Sequence, residues 1–143
     1  MKIFLDTNVV LDWVQDRSNA FAEEATLIIE STIALRLESY ISAGTVYTLA
    51  YLLQKDKFII NPNAIMIKIL NILNVMDGNK EQYLKACAGN FKDIEDAFQY
   101  YTAKENNQIQ YFVTGNIKDF TSMANSTLPV VTPKQMIRLL LKI

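Results

Sequence analysis

The apolar positions of this chain fall into two alternating rhythms. One is a set of short runs: Ile3-Phe4-Leu5, then Glu38 to Ser42, Asn74 to Met76, Gln110 to Thr114 and Pro129 to Val131. Brief runs of this kind, rich in β-branched and aromatic residues, suit strands buried on both faces. The other is a set of longer stretches at helical spacing. Val9 to Val14 is a short one. Ala20 to Leu37 carries a stripe of Phe21, Ala25, Ile28, Ile29 and Ile33, with Ser18 and Asn19 as caps. Ala43 to Gln54 places Val46, Leu49, Ala50 and Leu53 on one side, and Ala64 to Leu73 repeats Ile65, Ile69 and Ile72. Glu81 to Ala88 runs into Gly89-Asn90, Asp93 to Glu105 is a further helix, and Pro133 after Thr132 opens the last one. Strands alternating with helices predict a parallel α/β sheet covered on both faces.

Composition narrows the chemistry. The 143 residues, half of them hydrophobic and a fifth charged, are read as one domain spanning 1–143, without linker, repeat or low-complexity tract. A net charge of -1 is unlike that of a strongly basic nucleic-acid binder, although a bound metal ion can supply local positive charge. The chain has no histidine, which removes Ser-His-Asp and Cys-His catalysis and His-ligated zinc together. The single Cys87 forms no intrachain disulfide and fits a reducing compartment. No apolar run reaches membrane-spanning length and no signal-peptide pattern is present, so the expectation is a cytoplasmic protein that does not engage a membrane.

What chemistry remains rests on carboxylates. Asp6 ends the first apolar run and is followed by Thr7 and Asn8, which places an acid at the C-terminal edge of a parallel sheet, where such folds bind ligands. Helix capping is the plainer role for such an acid taken alone. In the stretch from Asp93, a turn of ~100° per residue puts Ile94, Ala97, Phe98 and Tyr101 on one face. Asp93, Asp96 and Tyr100 then lie just beside it, and Glu95 points away. Two acids in a first turn suit the helix dipole, and for Asp93 that role is favoured. Thr114-Gly115-Asn116-Ile117-Lys118-Asp119 repeats the opening logic of strand, hydroxyl, amide and acid, with Gly115 permitting a close approach or sharp turn. Acids drawn together raise one another's pKa, and Mg²⁺ or Mn²⁺ relieves that cost while activating water. The residues therefore point toward metal-assisted phosphoryl chemistry.

In order and spacing, four pieces resemble the PIN domain, the nuclease module of VapC-type toxins. They are Phe4-Leu5-Asp6-Thr7-Asn8-Val9-Val10-Leu11-Asp12, Ile41-Ser42-Ala43-Gly44-Thr45, Asp93-Ile94-Glu95-Asp96-Ala97-Phe98-Gln99 and Val113-Thr114-Gly115-Asn116-Ile117-Lys118-Asp119-Phe120. The resemblance covers essentially the whole chain. It implies a three-layer α/β/α sandwich with a short parallel central sheet. It also implies a Mg²⁺- or Mn²⁺-dependent endoribonuclease, the toxin of a toxin–antitoxin pair, acting on RNA. Asp6 and Asp96 would bind metal, and Asp119 would stand near the second metal or water. Thr114 and Asn116 would hold the first acid or metal-bound water, with Asn8 and Ser42 in supporting places. An antitoxin protein and a second copy of the chain are the expected partners, for which the apolar helices between Ala20 and Leu53 offer surface.

One departure bears on activity. The family's usual glutamate, six residues beyond the serine, is Thr48 here, and no acid occurs between Ser42 and Asp56. Asp93 is the acid available to compensate. The alternative function is thus a degenerate PIN-like domain that binds RNA or a protein without cleavage. A phosphohydrolase of the haloacid-dehalogenase type would need a second acid where Asn8 stands, and ranks third. Tyr47, Tyr51, Tyr100 and Tyr101 are read as core-edge or interface residues ahead of base-stacking ones. Lys55, Lys57, Lys92 and Lys118 are read as solvated charge ahead of RNA contacts.

Overall fold

In a computed structural model, which describes residues 1–15, 21–106, 108–123 and 127–142, five strands form one parallel sheet. They are β1 Lys2–Leu5, β2 Glu38–Ser42, β3 Asn74–Met76, β4 Tyr111–Val113 and β5 Val130–Val131, in the order β3-β2-β1-β4-β5. Register is set by the central strand: Phe4 lies opposite Tyr40 on one side and Phe112 on the other. The helices are α1 Thr7–Gln15, α2 Ala22–Ile33, α3 Ala43–Lys55, α4 Pro62–Ile72, α5 Lys80–Ala88, α6 Ile94–Lys104 and α7 Pro133–Leu141.

Strand alternation divides the interior into two cores. Ile3, Leu5, Ile41 and Val113 pack with α1, α2, α3, α4 and α7 on one face. Phe4 and Phe112 pack with Tyr100 and Ala103 of α6, and with Phe120 and Leu128, on the other. The phenol of Tyr100 donates to the Leu128 carbonyl at 2.8 Å, so its buried hydroxyl is satisfied. The three layers expected from the sequence are therefore present. Among the described residues no helix is long and apolar enough to cross a membrane.

The expected helix from Ala20 to Leu37 is shorter than its apolar stripe. It stops at Ile33, and Leu35 adopts φ 60, the left-handed conformation that usually falls to glycine. No Gly or Pro announces that stop. Leu35 is 91% exposed, and local backbone bonds hold the turn: the Leu35 N–H donates to the Thr32 carbonyl at 3.0 Å and the Arg36 N–H to the Ser31 carbonyl at 2.9 Å, before Leu37 leads directly into β2. The proposed caps Ser18 and Asn19, and the start at Ala20, lie outside the described residues. Asp93 also moves: it is the N-cap of α6, its side chain accepting from the Asp96 backbone N–H at 3.1 Å.

Candidate active site

The strand order places a topological switch at β1. The chain winds outward through β2 to β3, then returns to the other side of β1 as β4. Crevices open at the carboxyl ends of strands at such a point. Asp6 sits there, immediately beyond β1, with its backbone N–H donating to the Val113 carbonyl at 2.9 Å. Thr114 sits beside it, immediately beyond β4. Its hydroxyl donates to Asp6 Oδ2 at 2.8 Å and accepts the Asn116 backbone N–H at 3.1 Å. The Asn116 side-chain amide donates to Asp119 Oδ2. Asp119 lies in the 3₁₀ turn Ile117–Met123 that follows. One relay of contacts thus ties two strand-end acids together through Thr114 and Asn116.

A cavity of about 630 Å³ opens here, lined by Asp6, Asp93, Asp96 and Asp119 among others. The N-terminus of α6 brings in Asp93 and Asp96. Burial raises the Asp6 carboxyl, opposed by hydrogen bonds from Thr114 and Gln99 and by the Thr7 and Asn8 backbone. Asp96 is pushed up to about 7, first by desolvation and then by the negative charges of Asp6, Asp93, Asp119 and Glu95. Glu95 is exposed, yet it also borders the cavity; the helical wheel had turned it away. The wheel erred likewise for Ile94, which is 53% exposed, because the face packed on the sheet is Ala97, Tyr100 and Ala103.

Beside the acids lies an uncharged network of which sequence reasoning singled out Ser42 but neither Gln99 nor Thr45. Gln99 Oε1 accepts from the Thr7 backbone N–H at 3.1 Å, the Thr7 hydroxyl at 3.3 Å and the Thr45 hydroxyl at 3.4 Å. The Thr45 hydroxyl lies 2.9 Å from those of both Thr7 and Ser42. Ser42 caps α3, its Oγ accepting the Thr45 N–H at 3.0 Å. The signals were an amide at a buried helix position, three residues after Asp96, and the Ser-x-x-Thr spacing of a capped helix start.

The remaining candidates are placed as follows. Asn8 is exposed and borders the cavity, as does Thr48, whose hydroxyl donates to the Gly44 carbonyl at 3.2 Å within its own helix. Asp12, left open between a supporting and a solvent-facing role, is buried at 3% exposure. Gly115 does not use a left-handed conformation; a Cβ there would instead lie 3.1 Å from the Phe21 ring, so close packing is what its small size serves. Tyr100 is fully buried and unavailable to a base, whereas Tyr47 and Tyr51 are exposed.

Among the described residues no group of three acids is gathered closely enough to hold an ion alone. The donor set still fits a hard divalent cation. Mg²⁺ keeps several waters and takes only one or two carboxylates directly. Asp6 and Asp96, each raised above the usual carboxylate range at the same cavity, carry the electrostatic cost that such a cation removes.

A family model described as PIN domain matches residues 2–118. Ribonuclease VapC1 of Aquifex aeolicus (strain VF5) is 28% identical over 110 residues, covering 73% of this chain and 74% of that one. Among solved structures, the DNA-bound VapBC of Salmonella typhimurium contains a chain similar at TM-score 0.66 and 17% identity, covering 93% of this chain and 98% of that one. VapBC-1 of nontypeable Haemophilus influenzae gives TM-score 0.65 and 17% identity, over 94% and 99%. At such identities the structural likeness concerns the fold.

Proposed function

The chain belongs to the PIN domain family, and on that premise we propose that it is a Mg²⁺- or Mn²⁺-dependent endoribonuclease hydrolysing RNA phosphodiester bonds. The observation that carries this reading is the convergence at one cavity of Asp6, Asp96 and Asp119, contributed by the β1 end, α6 and the turn after β4. A bound Mg²⁺ or Mn²⁺ supplies an activated water and neutralises charge at the phosphorus under attack. Asp6 would be the anchoring ligand, since Thr114 and Gln99 fix its orientation. Asp96 would join it once deprotonated. Asp119, held by Asn116, would take up the proton of the attacking water. Asp93, which caps α6 with one oxygen and lines the cavity, would stand in for the acid absent at Thr48.

The same reading makes the protein the toxin of a toxin–antitoxin pair in the cytoplasm, with an antitoxin protein and a second copy of itself as partners. Support comes from the relative named Ribonuclease VapC1 and from the VapBC assemblies that share the fold. Exposed Tyr47, Tyr51, Phe58 and Ile60, on and just after α3, offer apolar surface for such contacts. The deciding experiment is Mn²⁺ calorimetry on the wild type and Asp6→Asn, with cleavage of a mixed RNA pool on the same samples. Binding and cleavage should both vanish in the variant. A folded wild type that neither binds nor cleaves would leave a partner-binding domain instead.

A further inference from the structure

The acids account for only one side of the cavity. At about 630 Å³ it falls within the usual span for a small-molecule site, and its lining extends to Tyr83, Phe98 and Thr102. On α6, at ~100° per residue, Asp96 and Phe98 are ~160° apart, with Gln99 and Glu95 on the arc between them. Phe98 thus faces away from Asp96, and the exposed Glu95 is the acid of α6 nearest to it. Tyr83 and Phe98 meet edge to face, with centroids 5.1 Å apart and planes at 73°. This geometry leaves a ring face uncovered by its partner. Neither ring belongs to the two cores that flank the sheet, unlike Tyr100, Phe112 and Phe120. The pair is nonetheless held in place. A Cβ on Gly78 would lie 2.8 Å from both Tyr83 Cζ and Thr102 Oγ1, so only glycine lets the loop before α5 pass behind the ring. The Thr102 hydroxyl donates to the Phe98 carbonyl at 2.7 Å, and that of Thr48 to Gly44. Thr102 is buried at 3% exposure with its Oγ1 against Gly78, so it helps hold the pair in place, whereas Thr48, its proton committed to backbone, keeps lone pairs at the cavity wall to accept from an N–H edge.

We propose that Tyr83 and Phe98, held in place by Thr102, form a subsite for one unpaired nucleobase of the RNA, flanking the phosphate handled by the acids. This rests on the nuclease reading and adds to it the residues that would discriminate the base beside the cut. A base fits the chemistry because it presents an aromatic face to the rings and N–H groups to the Thr48 hydroxyl oxygen. Only a base released from a duplex stack can enter such a cavity.

The test uses the full chain with Mg²⁺ and four probes, the 5′-monophosphates of adenosine, cytidine, guanosine and uridine, followed by amide NMR shifts. Shifts are expected at Tyr83, Phe98 and Thr102, differing between bases, and are lost in Phe98→Leu and Tyr83→Leu while Mn²⁺ affinity holds. On RNA, those variants should raise KM roughly five- to hundred-fold, with kcat little changed and base preference beside the cut flattened. Gly78→Ala, which displaces the Tyr83 ring and leaves Phe98 intact, should weaken nucleotide binding in the same direction. Shifts confined to the acidic side, or variants with unchanged KM and preference, overturn the subsite while the nuclease stands. Nucleotide shifts at Tyr83 and Phe98 in a protein that never cleaves RNA support the subsite and overturn the nuclease.

Discussion

Replacing Asp96 by Asn should stabilise the metal-free protein at alkaline pH and leave it nearly unchanged in acid. Asp96 sits at about 7 in the folded chain against an ordinary 3.8. The folded state therefore holds this proton where the unfolded chain has released it. Stability from this group is complete below pH ~4 and drains away as pH rises through ~7. Three units of displacement set a ceiling of about 4 kcal/mol. The group is half-buried and its neighbours are partly screened by water, so roughly 1–2 kcal/mol is the working figure. For a chain of this size that is about 3–6 °C in Tm. The assay is thermal unfolding in EDTA between pH 5 and pH 8. The wild type should lose this increment relative to Asp96→Asn as pH rises, and Mn²⁺ should restore it at pH 8 in the wild type far more than in the variant. Parallel curves for the two proteins in EDTA would refute the claim that neighbouring charge and burial hold Asp96 up.

Thr48→Glu places a carboxylate on the cavity wall where relatives of this family carry one; Mn²⁺ affinity measured by calorimetry should rise several-fold at pH 8, and a fall would mean that α3 does not reach the ion. Gln99→Leu strands the Thr7 N–H, while the Thr45 hydroxyl keeps those of Thr7 and Ser42, and the change should cost roughly 1–3 kcal/mol in urea unfolding. In the same variant Mn²⁺ binding should weaken, because Asp6 loses a partner that helps keep it charged; unchanged affinity would reduce Gln99 to a structural role.

The central strands were legible because burial on both faces forces the apolar runs Ile3-Phe4-Leu5 and Phe112-Val113, whereas the edge strands β3 and β5, exposed or half-buried, were legible from the turn residues around them. The acids were legible for a related reason: Asp6 and Asp119 follow strand ends, and a carboxylate there needs an explanation in any α/β chain. What escaped were features that no residue type announces. Leu35 turns the chain where no Gly or Asn stands. Ile94 is apolar yet 53% exposed, because the buried face of α6 is Ala97, Tyr100 and Ala103. Gln99 is one polar position in a helical run, and nothing beside it in sequence sets it apart. Its role emerges only when α1, α3 and α6 meet, bringing Thr7, Thr45 and Gln99 within hydrogen-bond distance. That meeting bears on the missing glutamate. The α3 side of the cavity, polar but uncharged, is organised around an amide oxygen that collects donors, and the negative charge is concentrated on α6 and the two strand ends. Thr48 thus faces a cavity whose negative charge stands on α6 and at the two strand ends, with Asp93, Glu95 and Asp96 together at the start of α6.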